Sequence, residues 1–161
     1  MNDKQGFKHI TLPISAEAAA TLTAGDYVML NGAMYTARDA AHKRMSGCLA
    51  ADEPLPVDLS GETVYYVGPC FDKNGNPKGA GPTTSGRMDA YAPALYDAIK
   101  RNGALYLCAI GGAGALYAKA MVSVKTAAYG DLGTEAIRRM EVRDFPVIVG
   151  IDQHGNSIFA K

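Results

Sequence analysis

Residues 81–89 read Gly-Pro-Thr-Thr-Ser-Gly-Arg-Met-Asp, and the rest of the chain is best understood outward from them. The glycines and the proline give a backbone that turns sharply and can lie close to a ligand. Thr83, Thr84 and Ser85 set three hydroxyls side by side, and Arg87 follows with a guanidinium. Hydroxyls beside a planar cation are what recognition of a small dicarboxylate requires. Taken alone, the segment reads equally as a Gly/Pro turn running into a helix capped by one of the three hydroxyls.

Upstream lies a second charged cluster, Tyr35-Thr36-Ala37-Arg38-Asp39-Ala40-Ala41-His42-Lys43-Arg44. It is Ala-rich and free of Gly and Pro, so it predicts a helix with Arg38 and His42 four residues apart on one face. Asp39 and Lys43 make a second such pair. A solvated, salt-bridged helix face has the same pattern.

Between and beyond the clusters the chain alternates strands and helices. His9–Ile14 reads as extended, and Ser15 as the cap of a short helix reaching Leu22. Tyr27–Leu30 is a strand, with Asn31-Gly32 predicting a turn before the Arg38 helix. Thr63–Val67 is a further strand, and the polar run from Phe71 to Gly79 a surface loop or hairpin tip. After the motif come a helix from Ala92 to Arg101, stopped by Asn102-Gly103, and a buried strand from Ala104 to Ile110. The glycines at 111, 112 and 114 lack the spacing of a P-loop or a dinucleotide fingerprint, so close packing of the next helix is their expected role. Val122–Ala128 and Pro146–Ile151 are strands, and Asp152–Gly155 a turn. This alternation, with hairpin signals, predicts an α/β layered domain with a mixed sheet.

The two clusters together resemble the β subunit, or C-terminal domain, of the class I iron–sulfur fumarases and L-tartrate dehydratases. The likeness extends over nearly the whole chain: Gly25-Asp26-Tyr27-Val28, Tyr65-Tyr66-Val67-Gly68-Pro69, Tyr106-Leu107 through Gly111-Gly112-Ala113, Asp131-Leu132-Gly133 and Asp144-Phe145-Pro146 fall in the same order. Met88-Asp89-Ala90-Tyr91 and Glu135-Ala136-Ile137 are closer to the fumarase branch. The resemblance implies a single domain over residues 1–161, of the swivelling β/β/α type. It implies reversible hydration of fumarate to malate, with tartrate dehydration as the alternative, and an oligomer built with an α subunit. A [4Fe-4S] cluster would sit on that partner and none on this chain. Arg38, Arg87 and Thr84 would hold the substrate carboxylates, Thr83 would act at C3, and His42 would shuttle a proton, orient substrate or hold the Arg38 helix. One departure stands out: related sequences carry a stretch containing Ile-Gly-Lys-Gly after Pro93-Ala94-Leu95, and this chain lacks it. Neither Lys78 nor Lys100 occupies a matching motif, which keeps open a noncatalytic swivelling domain that binds a partner or a small carboxylate.

Composition adds exclusions. The 161 residues are 48% hydrophobic, enough for one core, and sixteen acidic side chains balance sixteen basic ones. Zero net charge gives no reason to expect nucleic acid or an anionic membrane as partner. Met1-Asn2-Asp3-Lys4-Gln5-Gly6 lacks the apolar core of a signal peptide, and the expectation is a cytoplasmic protein. Cys48, Cys70 and Cys108 form no Cys-x-x-Cys pair and read as buried free thiols. His9 and His154 read as structural or exposed, and no metal ligand is assigned.

Overall fold

A computed structural model of the chain describes residues 6–83 and 101–159. In order, the elements are β1 (Lys8–Leu12), α1 (Ala16–Ala20), β2 (Tyr27–Thr36), α2 (Asp39–Ala50), β3 (Val64–Tyr65), β4 (Cys70–Phe71), β5 (Pro77–Gly79), β6 (Tyr106–Cys108), α3 (Gly114–Ala120), β7 (Met121–Ala128), a 3-10 segment (Gly130–Glu135) and β8 (Ile137–Ile151). The arrangement is α/β with a mixed sheet. β2 and β8 run antiparallel at its centre. Outside β2 lie β1 and then β3, both parallel to it; outside β8 lie β7 and then β6, both antiparallel. The result is a sheet four strands wide whose edges are each made of two short pieces.

Alternation decides which faces are buried. Val28, Leu30 and Met34 of β2 meet Met140, Val142, Phe145, Val147 and Val149 of β8 in the main core, with Ile10 and Leu12 of β1, Leu22 and Tyr117 of α3 closing it. Each such side chain contributes about 1.5–3 kcal/mol by leaving water. Tyr117 stacks on Phe145 with centroids 4.6 Å apart, and its hydroxyl accepts the Ile110 N–H at 2.6 Å. A buried phenol is thus supplied with the partner it needs. A second cluster, Ala37, Ala41, Met45 and Ile137, seats the inner face of α2 against the sheet.

Three expectations change. Asn31-Gly32 is not a turn, because β2 runs through it. Leu30 pairs with Phe145 and Gly32 with Val142, so Arg143 and Asp144 together face Asn31 alone: the extra residue is in β8. Asp144 takes a positive φ of 49°, and the Asn31 side-chain oxygen accepts its N–H at 3.0 Å. The bulge shifts the buried phase of β8 from Met140 and Val142 to Phe145 and Val147. Second, Tyr35 and Thr36 belong to β2, and α2 begins at Asp39 with Arg38 as its N-cap. The apolar alternation that ends β2 outweighs the helical propensity of the alanines, and hydrogen bonds from the Tyr35 and Ala37 N–H groups to Thr63 and Tyr65 hold the extended form. Third, Cys70 is exposed, while Cys48 and Cys108 are intermediate, all three as free thiols. A two-residue strand in an outlying hairpin has no core to enter.

The remaining predictions need boundary changes, except that the strand expected to be buried over Ala104–Ile110 is only half-buried at Tyr106–Cys108 and exposed at Ile110. Ser15 caps α1, its hydroxyl accepting the Ala18 N–H at 3.2 Å, but the helix stops at Ala20. Residues 70–79 form a hairpin whose tip is organised by Asp72, which accepts the N–H groups of Asn74 and Asn76 at 2.9 Å each. Val64–Tyr65 and Tyr106–Cys108 are shorter than the strands read from sequence. The helix predicted over Ala92–Arg101 lies outside the described residues up to position 100; Arg101 and Asn102 are helical, and Gly103 follows with φ 61°. Among the described residues no helix is long and apolar enough to cross a membrane.

Candidate active site

The start of α2 carries the upstream cluster. Ala37, Ala41 and Met45 turn inward, so the neighbouring positions Arg38 and His42 fall on the flank of the helix. The Arg38 carbonyl accepts two N–H groups of His42, the backbone amide at 2.9 Å and ring Nδ1 at 3.0 Å. A carbonyl only accepts, so Nδ1 carries the proton and neutral His42 keeps its lone pair on Nε2. Burial pushes the imidazole below its ordinary range, against the opposing pull of the Arg38 carbonyl and the Asp39 charge. His42 is therefore neutral around pH 7.

The guanidinium of Arg38 sits between two carboxylates. Its Nε donates to Asp39 Oδ1 at 2.8 Å, and Nη2 lies 3.4 Å from Glu135 Oε1. Glu135 comes from the end of the 3-10 segment, and its other oxygen accepts the Ala40 N–H at 3.1 Å, one of the otherwise unpaired donors of the α2 N-terminus. Gly68 makes room for the arginine: a Cβ there would stand 3.2 Å from both Cδ and Nη1 of Arg38 and 3.1 Å from the Thr134 carbonyl oxygen. Further along α2, Arg44 forms a two-point ion pair with Asp131 and lies over the Tyr129 ring.

The motif loop reaches this helix through β3 and its continuation. Thr83 donates its N–H to the Tyr66 carbonyl at 2.7 Å, and the Tyr66 ring meets His42 edge to face at 4.9 Å. Burial, with Tyr106 adding a smaller effect, raises the Tyr66 phenol. Just upstream, Tyr65 donates its hydroxyl to the Ala80 carbonyl. Gly114 closes the other side: Ala80 donates to its carbonyl at 3.0 Å, and a Cβ on Gly114 would stand 3.1 Å from the Gly81 nitrogen. Of the three glycines, Gly114 alone serves close packing, of the α3 N-terminus against the start of the motif; a Cβ on Gly111 or Gly112 would meet open space, and Gly112 instead takes a positive φ of 80°. Arg38, His42, Tyr66 and Thr83 are one connected group, while Thr84 and Arg87 lie outside the described residues.

Sequence reading missed Glu135, Tyr66 and Gly68 as parts of this group. Glu135 drew notice only as a branch feature and the other two only as a strand; no local pattern signals a contact made across nearly a hundred residues. Among the described residues no group of three or more His, Cys, Asp or Glu could hold a metal ion. A surface hollow of about 540 Å³, lined by Leu55, Val57, Asp58, Leu59 and Ser60, is separate from these residues. Chemically, a fixed guanidinium, a neutral imidazole one helical turn further on and a threonine hydroxyl are groups that can orient a carboxylate and relay a proton.

The architecture is that of an α/β domain with a mixed sheet, and comparison places it in a family. The model of the family described as Fumarase C-terminus matches residues 1–97 and again 92–161, and the chain belongs to that family. It is 36% identical to Fumarate hydratase 2 of Leishmania major over 85% of the chain, and 35% identical to the aerobic class I fumarate hydratase of Escherichia coli K12 over 81%. It spans only 28% of the length of each of those relatives. The putative L(+)-tartrate dehydratase subunit beta of Methanocaldococcus jannaschii is 36% identical over 86% of this chain, which covers 84% of that protein.

Proposed function

We propose that this chain is the β half of a two-part hydro-lyase that reversibly hydrates fumarate to malate, as a single domain of the swivelling β/β/α type. The observation that carries the reading is the connected group Arg38–His42–Tyr66–Thr83, which joins the two sequence clusters through hydrogen bonds and a ring contact. The partner is an α subunit, the assembly an oligomer, and the setting cytoplasmic. A [4Fe-4S] cluster belongs on that partner, since the cysteines here are scattered; when bound there it supplies a Lewis-acidic iron for the C2 hydroxyl.

The work of this chain is positioning and proton transfer. Arg38, with Arg87 and Thr84, holds the substrate carboxylates through paired hydrogen bonds. Charge builds on one carboxylate as the C3 proton leaves, and fixed cations stabilise it. Thr83 acts at C3 and needs a group to take its proton, because a hydroxyl alone is a poor base. Neutral His42 accepts or relays a proton at Nε2, with Tyr66 fixing its ring.

Two specific observations sustain other readings. The relative named as a tartrate dehydratase subunit beta is matched over most of its length, which supports tartrate as substrate. The family match comes in two pieces that overlap at residues 92–97, the region after Pro93-Ala94-Leu95 where the Ile-Gly-Lys-Gly stretch is absent, and this supports a noncatalytic partner-binding domain. Co-expression with a cluster-bearing α subunit and anaerobic assay on malate and tartrate decides among the three. The expected result is malate turnover by the complex and none by this chain alone. In the complex Thr83→Val should lower kcat at least about a hundredfold with KM little changed. Turnover by the isolated chain, or a kcat for Thr83→Val within about threefold of the parent, overturns the assignment.

A further inference from the structure

We infer that Glu135 is the positioning residue that aims Arg38 at the substrate, an assignment that rests on the hydro-lyase reading above. Its two oxygens do separate things. Oε2 accepts the Ala40 N–H at 3.1 Å and so fixes where α2 starts; Oε1 lies 3.4 Å from Arg38 Nη2 and so fixes where the side chain points. The carboxylate is tied to the helix backbone and to the guanidinium at once, so the angle between them is set by one rigid group.

The surroundings leave the arginine little other freedom. Asp39 takes Nε at 2.8 Å, and Gly68 allows the Cδ–Nη1 side to lie flat against the backbone. The Arg38 side chain is 17% exposed and that of Glu135 is 23% exposed, so solvent screens the pair only partly. A guanidinium has five N–H donors in a planar fork. Asp39 and Glu135 take the Nε and Nη2 positions, which leaves Nη1 turned toward neither carboxylate. A substrate carboxylate can still be met by the donors that remain. Two carboxylates around one guanidinium also leave the immediate group with a net negative charge, which works against an incoming dianion; the gain must be orientation. Glu135 also stands just beyond Gly133, whose φ of 59° and ψ of −118° kink the chain within the 3-10 segment and turn residues 134–135 back toward α2.

The cap and the aim can be separated by substitution. Glu135→Gln keeps a side-chain oxygen for the Ala40 N–H but removes the charge facing Arg38, whereas Glu135→Ala removes both. In the complex with its α subunit, Glu135→Gln should keep the parent melting temperature yet raise KM for malate about tenfold or more, with kcat falling less. Glu135→Ala should add a lower melting temperature to the same KM defect. If Glu135→Gln restores both melting temperature and KM to parent values, the residue is a helix cap and the inference fails. The 15N signal of Arg38 Nε in the isolated chain, assigned by its loss in Arg38→Lys, gives a readout independent of turnover. It should move in Glu135→Gln, and an unmoved signal overturns the inference whatever the complex does. A parent complex inactive on C4 acids would instead sink the hydro-lyase reading, leaving the nitrogen signal to judge the contact.

Discussion

At the scale of single residues, the burial of His42 has a measurable sign. Its folded value is depressed below the ordinary imidazole value of 6.5, chiefly by burial. The unfolded chain therefore takes up a proton below pH 6.5 that the folded chain refuses, so this contribution to stability is intact above that pH and lost as the pH falls toward the lowered value. Urea midpoints measured from pH 7.5 down to pH about 5 should decline in the parent and decline less in His42→Gln. The carboxylates with lowered values, such as Asp26 and Asp152, titrate further into acid and do not obscure that window. Equal slopes in the two proteins would mean that the ring is as accessible to protons folded as unfolded. The Arg38–His42 pairing was legible in sequence because four-residue spacing survives the shift of Arg38 to the N-cap: its carbonyl still takes the first helical hydrogen bond. The rotation of its guanidinium toward Glu135 was not, since nothing local encodes it.

At the scale of elements, the bulge opposite Asn31 corrects the most. Asn-Gly is a strong turn signal, yet here Gly32 holds φ 121° inside a ten-residue strand, and a Cβ there would stand 2.7 Å from the Leu12 carbonyl oxygen. Gly32 is thus needed twice, for its conformation and for the close approach of β1. Gly32→Ala should destabilise the fold by at least about 1–3 kcal/mol, read from urea unfolding, because the backbone must leave a region that alanine disfavours and β1 must move away. A loss under about 0.5 kcal/mol would mean that β1 is held loosely. β1 and β7 were readable, whereas β3 and β6 are shorter than expected because each occupies only the part of an edge left beyond a neighbouring strand, β3 beside Tyr35–Thr36 of β2 and β6 beside residues 148–151 of β8. The first half of β8 was missed because the bulge breaks its alternation at Arg143–Asp144.

Across the whole molecule, the α/β architecture with a mixed sheet was legible from the succession of elements, and the family from motifs spread over the chain. The assembly of the site was not, because it joins residues 38–42, 66–68, 83 and 135 across the order of the sequence. In the hydro-lyase proposed above, the absent Ile-Gly-Lys-Gly stretch is the feature on which activity would turn. Without its lysine, the proposed site would set two arginines against a dianion that gains charge during C3 deprotonation, so ground-state binding would survive better than stabilisation of the transition state. Inserting Ile-Gly-Lys-Gly between Leu95 and Tyr96 should therefore raise kcat of the complex more than it lowers KM. Full activity of the unmodified chain with its α subunit would remove the need for that cation.

The meeting of Gly81 with Gly114 has a consequence for how such a chain can diversify. The Thr83 loop is moored at its near end: Tyr65 grips the Ala80 carbonyl, Gly114 receives the Ala80 amide, and Tyr66 receives that of Thr83. Insertions or deletions before Thr83 would have to tear out these moorings, whereas length changes after it leave them untouched. The departure from related sequences falls beyond Leu95, on the side of Thr83 that these bonds do not hold, so lineages can change length there while the approach to Thr83 keeps its shape.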